Sequence, residues 1–88
     1  MPTLTLEAVL DLAAAAPLRA SLLAHRGQDL DLDGALVRRV GGQCLQVLLS
    51  AERTWRADGR TLRLRNPSQP CREALALMQA GPLLGAEE

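Results

Sequence analysis

Two cysteines, one histidine, a run of alternating aspartates and a pair of glycines are the residues of this chain whose types and spacing could do chemistry. Cys44 follows Gly41-Gly42-Gln43 at the expected start of a helix, where the dipole lowers a thiol's pKa and raises its reactivity. Cys71 holds the same place in a later helix. If both helices follow parallel strands, both thiols sit at one end of the molecule and a redox pair is geometrically open. The same two residues also fall on the inward stripes of their helices, where a cysteine acts as a small apolar residue. Two cysteines with His25 do not make a zinc site. Asp29, Asp31 and Asp33 run along one side of a strand, not around a point. Arg63 and Arg65 on a nearby strand are their expected counter-charges. His25, near a helix C-terminus, reads as a charge–dipole contact. No nucleophile, base and orienting carboxylate are spaced as a triad, so no enzyme, metal or cofactor is expected. Gly41-Gly42 before a helix could hold a phosphate on backbone N–H groups, but Walker and dinucleotide motifs need more residues than occur here.

These residues must be positioned by a chain of 88 residues, enough for one domain with one core and little room for an internal cavity. Ten basic residues, all arginine, balance ten acidic ones. A neutral total argues against nucleic acid, which demands a basic surface. The absence of an apolar run of transmembrane length and of a signal-peptide layout leads to the expectation of a soluble, cytoplasmic protein without membrane insertion. Trp55 is the sole aromatic, so Leu, Val and Ala must build the core around it.

Thr3 to Leu6 alternates as a first strand, and Val9 and Leu10 are expected to continue the sheet. Because Pro17 suits a first helical turn, the first helix is placed from Ala14–Ala16 to Arg26. Leu18, Leu22 and Leu23 form its buried stripe and Gly27 is its C-terminal signal. Leu30 and Leu32 alternate with aspartates as a half-exposed second strand, ended by Gly34. Leu36, Val37 and Val40 of the following connection pack under the sheet edge. The second helix runs from Gly42 to Ala57, with Cys44, Val47, Leu48, Ala51 and Trp55 inward and Gln43, Gln46, Ser50 and Arg53 outward. Leu49 lies at the edge of the apolar stripe. Asp58-Gly59 is a turn, and Thr61 to Arg65 is a third strand with Leu62 and Leu64 inward. Ser68 caps a third helix with Pro70 in its first turn and Cys71, Leu75 and Met78 inward. Gly81-Pro82 stops it. The whole is an α/β domain over residues 1–82, a mainly parallel sheet packed by three to four helices, with a disordered tail over 83–88.

In this order and spacing, Leu10-Asp11-Leu12, Leu30-Asp31-Leu32-Asp33, Val40-Gly41-Gly42-Gln43-Cys44-Leu45, Asp58-Gly59-Arg60-Thr61-Leu62 and Asn66-Pro67-Ser68 resemble the STAS family, the domain shared by sulfate transporters and anti-sigma-factor antagonists. The likeness runs from Leu4 to Gln79. In that family the turn before the second helix reads Asp-Ser-Ser-Gly or Asp-Ser-Thr-Gly, and a partner kinase phosphorylates the second hydroxyl. Laid on this chain, the acidic position is Gly41, the hydroxyl positions are Gly42 and Gln43, and the glycine is Cys44. No phosphorylatable residue remains. The resemblance implies a STAS fold and a non-catalytic protein-interaction role in bacterial signalling, in a permanently binding-competent form. The implied docking surface is Gly41, Gly42, Gln43, Gln46, Leu49 and Ser50. The implied partner is a histidine-kinase-like ATPase, an anti-sigma factor or a chemotaxis component. The Gln-Cys-Leu-Gln run is similar to short stand-alone STAS proteins associated with chemotaxis systems. The alternative is a cytoplasmic STAS subunit of a lipid-transport ABC complex. A third reading is a thiol-based redox sensor using Cys44 and Cys71.

Overall fold

A computed structural model describes residues 2–77. The elements follow in the order β1 (Thr3–Thr5), β2 (Val9–Leu10), α1 (Leu12–Ala24), β3 (Leu30–Asp33), β4 (Arg39–Val40), α2 (Gly42–Ala57), β5 (Leu62–Arg65) and α3 (Gln69–Leu77). Strands β1, β3 and β5 form one sheet in that order, and every pairing is parallel. This is the α/β architecture of a single STAS-type domain, with three helices among the described residues. Met78 of the expected third stripe, the Gly81-Pro82 stop and the tail over 83–88 lie outside the described residues.

The alternation of leucines with polar residues sets the two faces of the sheet. Leu4, Leu32 and Leu64 stand in one cross-strand row and Leu30 and Leu62 in the next, all on the core face. The other face carries Thr3, Asp31 and Arg63 in register, then Thr5, Asp33 and Arg65. Asp31, expected on a half-exposed strand, is buried instead. It lies on the middle strand, with Arg65 Nη1 3.4 Å from Oδ2 and Arg63 Nε 3.8 Å from Oδ1. The longer separation is ion-pair range only, and Oδ1 accepts no hydrogen bond. The neighbouring aspartates serve the backbone: Asp29 accepts from the Thr61 N–H at 2.9 Å and Asp33 from the Ala35 N–H at 3.0 Å.

Three expectations fail for identifiable reasons. First, α1 begins at Leu12, not at Ala14–Ala16, and Pro17 lies inside it. Asp11 supplies the start, its Oδ1 accepting from the Ala14 N–H at 3.1 Å. The backbone bond that Pro17 cannot donate would have gone to Ala13, and both residues face solvent, which satisfies the spare carbonyl. The helix stops at Ala24, and Gly27 takes a left-handed φ of +93° two residues after the His25 cap. Second, Leu23 is 51% exposed while Leu18 and Leu22 are buried. Leu23 points about 100° round the helix from the buried Leu22 and falls outside the arc that the rest of the fold covers. Third, β2 does not extend the main sheet; it pairs with β4 as a separate parallel ladder. The chain bends at Glu7-Ala8 once the Leu6 N–H has bonded Asp33, and the Ala8 carbonyl then accepts from both Arg38 and Arg39. Leu36, also expected to pack under the sheet edge, is instead exposed in the turn before β4, while Val37 is buried.

The core gathers around Trp55, which is 2% exposed and whose indole N–H donates to the Gln28 carbonyl at 2.8 Å. Leu45, not assigned to the inward face from sequence, is buried with Cys44, Leu48 and Ala51. Ser68 opens α3 by accepting from the Cys71 N–H at 3.2 Å, and its hydroxyl donates to the Val37 carbonyl. Among the described glycines, Gly34 has the closest neighbours. A Cβ there would stand 3.2 Å from Leu64 Cδ1 and 3.3 Å from Pro67 Cα.

Candidate docking surface

The start of α2 is built from backbone alone. Gly41 is its N-cap, with φ −88° and ψ 166°. Its N–H donates to the Leu10 carbonyl at 2.8 Å and its carbonyl accepts from Leu45 at 3.1 Å. No side chain caps the helix and no acidic residue occupies its first turn, which leaves the first N–H groups to solvent or a ligand. Gly42 opens onto free space.

Directly behind this start stands Cys44, fully buried, its thiol donating to the Asp11 carbonyl at 3.2 Å. Burial pushes its pKa up, and the carboxylates of Asp11 and Glu7 push it further in the same direction. This direction runs against the expected dipole-lowered thiol: desolvation leads and two nearby negative charges add to it. Cys71 is likewise raised by burial, against a smaller opposing effect of Arg72. Both cysteines are free and buried. The same carboxylates make the Gly41-Gly42 corner a poor anion seat. His25 is engaged locally, its Nδ1–H donating to the Ser21 carbonyl at 2.9 Å. Among the described residues no group of three or more His, Cys, Asp or Glu side chains is placed to hold a metal ion, and no helix is long and apolar enough to cross a membrane.

Gln43, Gln46, Ser50 and Arg53 are exposed along one face of α2, as their spacing requires. Leu49 is half-buried and packs against the core, so it offers only part of its side chain to that surface. Gln43, Gln46 and Ser50 also line a groove of about 400 Å³ between α1 and α2. Gly41, Gly42 and Leu49 lie outside it. The far wall comes from residues that the sequence reading did not select: Arg19, Leu23 and Arg26. For Leu23 the signal was present in the composition of α1, whose apolar side chains cannot all be hidden in so small a domain; for the two arginines there was none. Arg26 also pairs with Asp58 at 3.0 Å, closing the end of the groove. That contact holds the Asp58 carboxyl below the usual carboxylate range and raises the Arg26 guanidinium further.

The comparison with curated proteins and that with solved structures gave no match. A family model described as "Mlab, STAS domain" matches residues 1–85. This match supports a general protein-interaction or signalling module. It spans nearly the whole chain and agrees with the parallel topology described above: the chain belongs to the STAS domain family.

Proposed function

We propose that this protein is a non-catalytic docking module in bacterial signalling, acting in the cytoplasm. Its surface is the first half of α2 with the loop before it: Gly41, Gly42, Gln43, Gln46, Leu49 and Ser50. The observation that carries the reading is the exposed polar row Gln43, Gln46 and Ser50, which opens on a groove and begins at a helix start without a hydroxyl. A glutamine at that position is neutral, closer in charge to an unmodified serine than to a phosphate bearing about two negative charges. Binding then needs no dephosphorylation. The partner is a histidine-kinase-like ATPase of the anti-sigma type, or a chemotaxis component. A non-catalytic role is supported by two buried thiols whose pKa values are raised and by an imidazole committed to its own helix.

A second reading uses the same surface. Short STAS proteins also serve as cytoplasmic subunits of lipid-transport ABC complexes, with the second helix against the ATPase, and the matching family model carries the name Mlab. Affinity purification from the native host, with mass spectrometry of the captured partner, separates the two. The surface itself is tested by repeating the capture with Gln43→Asp and Gln46→Arg, both expected to weaken it. Capture at the wild-type level by both variants would remove this face from consideration.

A further inference from the structure

We infer that the groove between α1 and α2 seats an amphipathic helix of the partner whose flanks are acidic. The inference rests on the docking role proposed for α2 and adds the wall that α1 contributes. Apart from Arg19 and Ser21, every side chain of α1 is apolar. Helices of that composition are normally covered on all sides. Here only one side is covered: Ala13, Ala16, Ala20, Leu23 and Ala24 all face solvent. Leu23 stands at the lip of the groove, above a floor of Leu22, Val47, Ala51 and Trp55.

The charge of the lining defines the occupant. The whole chain carries equal numbers of acidic and basic residues, yet the groove is lined by Arg19 and Arg26 and by no carboxylate. Among the described residues Arg19 has no ion-pair partner. Arg26 shares its guanidinium with Asp58 and stays half-exposed. An apolar floor edged by arginines fits leucine-like anchors bordered by Asp or Glu. A helix fits better than an extended peptide, because both walls are helices whose backbone groups are already bonded and offer no strand edge. Arg19 lies on α1 and Arg26 in the turn just past its end, so two cations edge this wall of the groove. The small side chains of Ser50 and Ala51 in the lining leave room for a third backbone. The reading also gives a reason for Gln43→Asp to weaken binding, since it would set a negative charge against an acidic flank.

The test uses the full chain and two designed 18-residue helical peptides, written here as the actual probes: a leucine stripe flanked by glutamates, and the same stripe flanked by lysines. Emission of Trp55, the sole aromatic and part of the groove floor, reports occupancy, and backbone amide shifts locate it. The expected result is saturable binding of the glutamate peptide at least about tenfold tighter than the lysine peptide. Arg19→Glu should reverse that preference, and Leu23→Asp should weaken the glutamate peptide about tenfold or more. Both sites are exposed, and far-UV dichroism checks that the variants fold. Equal binding of the two peptides, no saturable change, or shifts confined to another face would overturn the inference. Capture of the native partner separates the two claims. Loss with the Gln43 and Gln46 variants alone leaves α2 docking standing and removes the groove. Loss with Arg19→Glu and Leu23→Asp alone does the reverse.

Discussion

Replacing Gly41 by serine should stabilise the protein by about 1 kcal/mol. The backbone at Gly41, φ −88° and ψ 166°, is already the extended conformation of an N-cap, so a side chain introduces no strain. A Cβ would stand 3.4 Å from the Leu10 carbonyl oxygen and 3.9 Å from Asp11 Cα, which is ordinary contact. Two effects then add. The hydroxyl can accept from the unbonded N–H groups of the first turn, worth a few tenths of a kcal/mol over glycine at this position. The unfolded chain also loses the freedom of a glycine, worth about 0.4–1 kcal/mol. For a domain of this size the sum corresponds to a rise in Tm of about 4–8 °C. Urea unfolding followed by Trp55 emission measures it, with Gly41→Ala as the control that lacks the acceptor and should fall below serine by about 1 kcal/mol. If serine unfolds at the same urea concentration as alanine, capping at this helix start is refuted. If serine falls below wild type, the ordinary contact of its Cβ with the Leu10 carbonyl is refuted as well. Gly41 lies in the proposed surface, so the same variant should capture partner less well despite its added stability.

Gly34→Ala should cost about 1–3 kcal/mol, because its methyl meets Leu64 Cδ1 at 3.2 Å and the Pro67 backbone at 3.3 Å; a wild-type urea midpoint would show that β5 and the loop after it do not sit so close to Gly34. The buried thiols have folded pKa values raised above the unfolded ones, so their contribution is complete below the unfolded value of about 8.5 and is lost as pH rises through and above it. Stability should therefore decline above about pH 9, and iodoacetamide at neutral pH should label Cys44 and Cys71 far more slowly than in urea; equal rates would revive the redox reading. The Asp58 carboxyl is depressed by Arg26, so its contribution is present above about pH 3.9 and is lost as pH falls through the lower, folded value. The urea midpoints of wild type and Asp58→Asn should differ at pH 7, converge in acid, and approach one another in high salt; a gap that is widest in acid would contradict the pairing.

What could be read from the residues was whatever a single element decides alone. The period of α2 between Gly41 and Asp58-Gly59 gave its bounds residue for residue, and the leucine alternation gave β3 and β5 with their core faces. The counter-charges on Asp31 also followed, since register in a parallel sheet places Arg63 beside it. Competition between local rules was harder. At α1 the Asp11 cap outweighed the preference of Pro17 for a first turn, a contest settled by the exposure of Ala13 and Pro17. Two-residue strands such as β2 and β4 have no period to detect. The groove belongs to neither helix separately: Arg19 and Arg26 join Gln43, Gln46 and Ser50 only once the two helices lie side by side. The same holds for the thiol pKa at Cys44, which depends on burial and on carboxylates more than thirty residues away in sequence.

The short β2–β4 ladder gives the two-helix layer the mechanics of tongs. It binds the segment entering α1 to the segment entering α2, and the Gly41 N–H and the Cys44 thiol reach back to Leu10 and Asp11 across the same joint. At the opposite tips the two arms are joined by the exposed Arg26–Asp58 contact, which salt weakens. The pivot is thus made mainly of backbone hydrogen bonds and the clasp of one solvated ion pair. Any spreading of the arms starts from the clasp, so an occupant arriving there would unlatch the jaws before it ever strained the hinge.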